Sequence, residues 1–502
     1  MNDKQKNDTP SLVSGEIVDV ELKTEPPEPR ETLVGMVIAE ENAGESGEII
    51  ELHELQTAVP EIPTTEPKLQ PVRRIQQSSE PAFLPQMPTT VSGTGLSHAF
   101  LEELCLKHLF QAGALRGTEL VHRICLAAAI VEEIMERLRR NKFIEISGSS
   151  GTGIGRSSMV FRLTQLGHEY VLRVLERDKY CGPAPVPFRY YEQATAAQTI
   201  RGNRFQKDDL EPYFHDLVLK PWVFDNLGPA MNSSKAMFLY GPAGNGKTAI
   251  CKRMTACFGS DIFIPHAVLV DDFVIKVYDE NLHIPSNPAQ LSALATPESL
   301  DARWIACRRP MVVVGGELDL DDLRLRFSES VRYYEAPIQM KANNGLLLID
   351  DFGRQRVSPR DLLNRWIVPL ESEVDYVTMH TGKKLQIPFD VFVVFSTNLD
   401  PKDLVDEAFL RRVGYKLEMG RPDEGVFSEI FRQECLRRGI RWDPDMVEYL
   451  IEEHYRKPGR PFNACEPRDL LNQVVDLCHY RGMEPILERH VLDRVVANYF
   501  IH

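Results

Sequence analysis

The chain has 502 residues, 43% hydrophobic and 26% charged, enough for roughly two to four domains with a sizeable core. Its net charge of −15 is uneven: residues 1–90 hold 17 Asp and Glu against 7 Lys and Arg, so most of the acidity sits in one end and does not exclude nucleic acid from the rest. The opening Met1-Asn-Asp-Lys is polar rather than signal-like, the longest apolar stretch near residues 124–131 is too short to cross a bilayer, and nine scattered cysteines form no C-x-x-C pair, so secretion, membrane insertion, disulfides and a zinc cluster are all disfavoured. A cytoplasmic location is expected.

Residues 1–95 are rich in Pro, Glu and Thr, as in Thr24-Glu-Pro-Pro-Glu-Pro-Arg30, and read as a disordered acidic tail. From residue 96 to 180 the pattern changes. Helices are expected over 100–112, from 117, and over 127–141, followed by Phe143-Ile-Glu-Ile146, a Gly/Ser loop over 147–158, and Met159-Val-Phe-Arg-Leu-Thr164. Three helices and a two-stranded ribbon with a glycine-rich tip resemble a winged helix, and Gln165-Leu-Gly-His-Glu-Tyr170 resembles its usual Leu-Thr-x-x-Gly ending. Such a domain often reads DNA through its third helix. Here that helix opens on Ala127, Ala128, Ala129, Glu132, Glu133 and Glu136, poor partners for phosphate, and Arg137, Arg139 and Arg140 come only at its end. Protein docking is therefore expected ahead of DNA binding.

Residues 181–205, opening Cys181-Gly-Pro-Ala-Pro-Val-Pro187, read as a linker. A lead-in over 205–227 follows, in which Phe214, Leu217 or Val218 would pack on a purine ring. Then Ala236-Met-Phe-Leu-Tyr240 reads as a buried strand and runs into Gly241-Pro-Ala-Gly-Asn-Gly-Lys-Thr248, which matches G-x-x-x-x-G-K-[ST] at every fixed position. Ile250, Cys251, Met254, Cys257 and Phe258 share one face of the helix beyond it, and Gly259 is a plausible C-cap. The glycines Gly241, Gly244 and Gly246 let the backbone curl, with Pro242, Ala243 and Asn245 between them, so that several N–H groups face one anion at a helix N-terminus. Lys247 would reach the β- and γ-phosphates of ATP, and the Thr248 hydroxyl would sit on Mg2+.

The second half of the site is expected at Leu346-Leu-Leu-Ile-Asp-Asp351, an apolar run suited to a strand buried on both faces, with carboxylates at its C-terminal end where parallel sheets bind ligands. Asp350 would hold Mg2+ through water, opposite Thr248, and Asp351 would polarise the attacking water. Ser358-Pro-Arg-Asp361 starts a helix whose apolar stripe is Leu362, Leu363, Trp366 and Leu370. Residues 375–380 and 384–387 flank a Thr-Gly turn and predict a hairpin. Val391-Phe-Val-Val-Phe395 is another buried strand, ending in Ser396-Thr-Asn398, whose amide would orient water at the γ-phosphate.

In order and spacing these motifs resemble an AAA+ ATPase over residues 205–502: Walker A at 241–248, Walker B at 346–351 and sensor 1 at Asn398. Asp406-Glu-Ala-Phe-Leu-Arg-Arg412 is similar to the segment carrying the arginine finger, with Arg412 favoured and Arg411 in reserve, and Glu466-Pro-Arg-Asp-Leu-Leu471 is similar to sensor 2, with Arg468 opening a lid helix. The hairpin before Asn398, and the run Tyr334-Glu-Ala-Pro-Ile-Gln-Met-Lys-Ala-Asn-Asn-Gly345, resemble the pre-sensor-1 branch that holds MoxR-type chaperones and sigma-54 activators. The resemblance implies an α/β fold: a P-loop NTPase αβα domain with a parallel sheet over 206–420 and a helical lid over 421–502. Two departures matter. Asp351 stands where the family usually has Glu, one methylene longer, and the activators' Gly-Ala-Phe-Thr-Gly-Ala loop is absent. The interval holding Pro310-Met-Val-Val-Val-Gly-Gly-Glu-Leu-Asp-Leu320 and the run to Tyr334 reads as an insertion with a pore or partner-contacting surface, and Tyr278, Tyr333 and Tyr334 as packed side chains.

The expected activity is hydrolysis of ATP with Mg2+ by in-line attack of water, where positioning and charge neutralisation dominate. Lys247 and Arg468 would act within one subunit and Arg412 from its neighbour, so a homo-oligomeric ring, a hexamer among the sizes allowed, is implied. Three uses remain open: a remodeller of a protein substrate or adaptor, a DNA-associated ATPase, and a slow nucleotide-gated switch.

Overall fold

The computed structural model describes residues 83–149, 159–287 and 299–500. The expected tail up to residue 82, and the glycine-rich tip over 150–158, lie outside the described residues. Five parallel strands make the central sheet: β1 Ala236–Tyr240, β2 Met311–Val314, β3 Gly345–Ile349, β4 Val391–Thr397 and β5 Tyr415–Glu418. Their order across the sheet is β2-β3-β4-β1-β5. Every residue of β3 and β4 is buried, as a strand covered on both faces requires.

The period-2 alternation of strand side chains assigns the two covers. Met237, Leu239, Leu346, Leu348, Phe392 and Val394 face one way, onto Ile250, Cys251 and Met254 of the helix Lys247–Cys257. Phe238, Leu347, Ile349, Val393 and Phe395 face the other way, onto Leu362, Leu363 and Trp366 of the helix Pro359–Ser372. The result is a three-layered α/β fold with a parallel sheet. Ser358 caps the second helix as its sequence suggests, accepting from the Asp361 N–H at 3.2 Å. The strands Val374–Thr378 and Lys384–Pro388 pair antiparallel as a hairpin.

Before the sheet, the helices His98–Ala112, Gly117–Ile124 and Ala128–Arg140 pack with an antiparallel sheet built from Ala114–Arg116, Ile144–Ser149 and Met159–Leu163. Thr164 then caps a further helix, Gln165–Arg177, by accepting from the Gly167 N–H at 3.1 Å. Gly167 is demanded there because a Cβ would stand 2.0 Å from the Phe143 carbonyl oxygen. After the sheet, the helices Glu424–Arg438, Pro444–Ile451, Glu466–Tyr480 and Arg489–Tyr499 enclose their own core of Phe427, Phe431, Leu470, Val474, Leu492 and Val495.

Three stretches differ from expectation. Residues 83–95, assigned to the tail, are folded: the Phe83 ring lies 5.3 Å from that of Trp304, and Val91–Thr94 forms a short helix capped by Thr90. Residues 181–205, assigned to a linker, contain Val186–Pro187, paired parallel with Ala267–Val270, and the helix Phe188–Ala197. Prolines dominate the sequence signal there, yet Val186, Tyr191 and Ala194 supply buried anchors. Met311–Val314, assigned to an insertion, is the edge strand of the central sheet, in register with β3 from Met311↔Leu346 to Val314↔Ile349. A separate sheet is built from strands on both sides of it in the chain: Val186–Pro187, Ala267–Val270, Phe273–Lys276, Arg326–Ser328 and Tyr333–Glu335. Tyr334 is fully buried in it, while Tyr278 and Tyr333 are half-buried.

Candidate functional site

The loop after β1 curls over the N-terminus of the helix Lys247–Cys257. Gly241, Gly244 and Gly246 have φ of 128°, 80° and 83°, a region that favours glycine. Space demands glycine as well: a Cβ on Gly241 would stand 2.3 Å from the Met419 carbonyl oxygen, and one on Gly244 would stand 2.5 Å from Cys465 Sγ. Residues 243–248 line a cavity of about 710 Å³, while Gly241 and Pro242 turn their carbonyls to the lysine.

Lys247 is buried, and its Nζ donates to Gly241 O at 2.8 Å, Pro242 O at 3.2 Å and Asn398 Oδ1 at 2.7 Å. Burial pushes its ammonium below the usual lysine range, against the upward pull of Asp350 and Asp351. Thr248 Oγ1 donates to Asp350 Oδ2 at 3.2 Å. The other face of Asn398 donates from Nδ2 to Asp351 Oδ1 at 2.8 Å. Residues more than a hundred positions apart in sequence thus join one hydrogen-bonded chain at the C-terminal ends of β1, β3 and β4.

Asp351 is exposed and has a φ of 49°, unusual for a side chain other than Asn or Gly. Its turn is held from several sides. Gln355 Nε2 donates to the Asp350 and Asp351 carbonyls at 2.9 and 3.2 Å, and the Phe352 N–H donates to Ser396 O at 2.7 Å. Phe352 is buried against Phe238 and Phe395, with ring centroids 5.9 and 5.1 Å away. Sequence reading missed Gln355; its position six residues past the end of β3 offered no signal.

The chain resembles known proteins only in part. Residues 423–498 match a family described as a domain of unknown function (DUF8689). No curated protein matches the chain. Among solved structures, the RuvB Holliday junction branch migration motor of Thermotoga maritima is 13% identical, with a TM-score of 0.33, over 59% of this chain and 70% of that one. An alanine-to-serine mutant of RuvB from the same organism is 14% identical, with a TM-score of 0.36, over 58% and 74% of the two chains.

The rest of the cavity comes from outside the central sheet. Leu217 and Val218 line it, but Phe214 does not: it is buried behind them against Phe224. From the C-terminal helices come Ile430, Gln433, Arg437 and Arg468. The Arg468 guanidinium pairs with Asp469 at 2.9 Å. A network that sequence reading also missed spans three elements: Asp216 in the lead-in pairs with Arg253 of the glycine-loop helix, and its carbonyl accepts from Arg437 at 2.6 Å. Desolvation opposes ionisation of Asp216, but the Arg253 hydrogen bond and charge, with the Arg437 charge, outweigh it and hold its carboxyl below the usual range.

Arg411 and Arg412 stand elsewhere. Arg411 pairs with Glu407 at 3.2 Å, and Arg412 with Glu371 at 2.6 Å. Arg412 borders a separate cavity of about 490 Å³, between the helix Pro359–Ser372 and the segment holding Lys402 and Asp406. Among the described residues, no group of three His, Cys, Asp or Glu side chains is disposed to hold a metal unaided, and no helix is long and apolar enough to cross a membrane. One hydroxyl and one carboxylate, Thr248 and Asp350, are a donor set that suits Mg2+, which keeps several waters and takes phosphate oxygens for the rest.

Proposed function

We propose that the chain is an AAA+-type ATPase that hydrolyses ATP with Mg2+ in a homo-oligomer and uses the cycle to remodel a protein partner. The observation that carries this reading is the continuous chain Asp351–Asn398–Lys247 beside Thr248–Asp350, at the mouth of a cavity of nucleotide size. Lys247 would exchange its bonds to the Gly241 and Pro242 carbonyls for phosphate oxygens. Thr248 and Asp350 would hold Mg2+, which neutralises charge on the phosphates. Asn398 would align Asp351 and the attacking water, and Leu217 and Val218 would cover the base. Arg468, from the C-terminal lid, would close on the phosphates after leaving Asp469.

Arg412 fits a role in the neighbour's site, because it lies outside its own chain's cavity, with Arg411 beside it. Such a finger in trans is worth on the order of 10³–10⁵ in rate. The winged-helix reading of residues 96–180 gains support from the helices and antiparallel sheet found there. Protein docking is favoured over DNA because five arginines of that region already sit in ion pairs: Arg137 with Glu102, Arg139 and Arg140 with the shared Glu136, Arg162 with Glu145 and Arg177 with Glu103. A slow nucleotide-gated switch is the second reading. It is favoured by Asp351, which is one methylene short of the usual Glu and is already bonded to Asn398.

The test is Mg2+-dependent phosphate release measured against protein concentration. Specific activity that rises with assembly supports the machine; tight ATP binding with turnover flat across concentration supports the switch. A chain that binds no ATP ends both.

A further inference from the structure

Four arginines line the large cavity, and three of them have carboxylate partners: Arg253 with Asp216, Arg437 with Glu434 and Arg468 with Asp469. The fourth, Arg354, is exposed, and among the described residues its guanidinium has neither an ion-pair partner nor a hydrogen-bond acceptor. Its backbone, in contrast, is fixed. The Arg354 N–H donates to Asp351 O at 3.0 Å, and the next turn is tied to the segment just after β2 by the Arg356 N–H on Gly316 O at 3.2 Å. Gln355, between them, holds the Asp350 and Asp351 carbonyls. The side chain is therefore rooted beside the two carboxylates and free to swing within the cavity.

Charge makes that freedom meaningful. At this end of the cavity Asp350 and Asp351 face Lys247 alone, and Lys247 spends its three donors on two carbonyls and Asn398. A triphosphate adds several negative charges to the same place. A planar, permanently charged, weakly hydrated fork is the side chain best matched to a terminal phosphate.

We propose that Arg354 binds the terminal phosphate of the nucleotide held in its own subunit, and so makes the site prefer a nucleoside triphosphate to the diphosphate. The assignment rests on the nucleotide reading above and adds a residue to it. A diphosphate ends one group short, leaving Arg354 in solvent with nothing gained. The preference is thus set within one chain, independently of any arginine supplied by a neighbour.

The experiment is calorimetric binding of a non-hydrolysable ATP analogue and of ADP, each with Mg2+, to the full chain and to R354A, R354Q and R354K. Triphosphate affinity should fall about ten- to a hundredfold in R354A and R354Q, the loss of a charged hydrogen-bonding group, while ADP affinity changes by less than about twofold. R354K should recover part of the difference. Thermal melting of each variant, expected to match the wild type because the side chain is exposed, keeps a folding defect from passing as a binding one. Equal losses for both nucleotides, or an unchanged ratio, would overturn the role of Arg354 and leave the ATPase reading standing. A wild-type chain that binds neither nucleotide would overturn the reading beneath it.

Discussion

Asn398 bonds to Lys247 with its oxygen and to Asp351 with its nitrogen, so one amide sets the spacing of a cation and an acid. Neither Asp nor Ala can make both bonds, since one lacks a donor and the other lacks both groups. Asn398→Ala should therefore lower turnover while sparing ATP affinity in part. Asp351→Asn is the sharper change: it keeps the shape and removes the proposed base. Phosphate release should fall about 10²–10⁴-fold with ATP still bound, giving a trapped complex. Unchanged turnover in single-turnover assays would take Asp351 out of the mechanism. At this scale the sequence was most informative. The fixed positions of the glycine loop and the acids after a leucine-rich run stand out because they match what phosphate and Mg2+ would require under the proposed function. What it concealed was the positive φ of Asp351, the clasp of Gln355 and the pairing of Arg253, Arg437 and Arg468, because these depend on which segments meet in space.

Elements carry the site by packing and by a few cross-links. Phe352, next to Asp351, sits in an aromatic cluster with Phe238 and Phe395 under the sheet's rim. Phe352→Ala should destabilise the protein by about 3–5 kcal/mol, read from denaturant unfolding, and should loosen the Asp351 turn with it. The C-terminal helices touch the glycine loop directly: Asn245 Oδ1 accepts from the Ala464 N–H at 3.0 Å, and Cys465 lies against Gly244. Asn245→Ala should cost about 0.5–1.5 kcal/mol and speed hydrogen exchange at Ala464. Asp216 joins the same elements from the other side. Its carboxyl is held below its usual range in the folded chain, so its contribution is complete above the ordinary aspartate value of about 3.9 and is lost as pH falls through the lower folded value. Melting curves of the wild type and Asp216→Asn should differ at neutral pH and converge in acid. The periodic elements, such as the helix carrying Leu362, Trp366 and Leu370, were legible because burial on one face leaves a repeat. The edge strand Met311–Val314 was not, because four apolar residues far from any motif look alike in a sheet and in an insertion.

For the whole molecule, the two cavities that matter are served by different arginines. Arg468 and Arg354 line the large one, while Arg412 stands at the other with Glu371. If Arg412 works on the adjoining subunit, Arg412→Ala should bind ATP normally yet turn over slowly at every protein concentration. Mixing it with Lys247→Ala should restore part of the activity, since each variant supplies what the other lacks. Phosphate release from the mixture checks this; no recovery would place Arg412 in a surface pair only. The fold class was legible from the order of strands and motifs. The folded stretches at 83–95 and 181–205 were hidden behind their prolines.

The bond between Asn245 and Ala464 joins the floor of the pocket to its roof. The segment leading into the fifteen-residue helix Glu466–Tyr480 is thereby anchored to the glycine loop by a backbone amide.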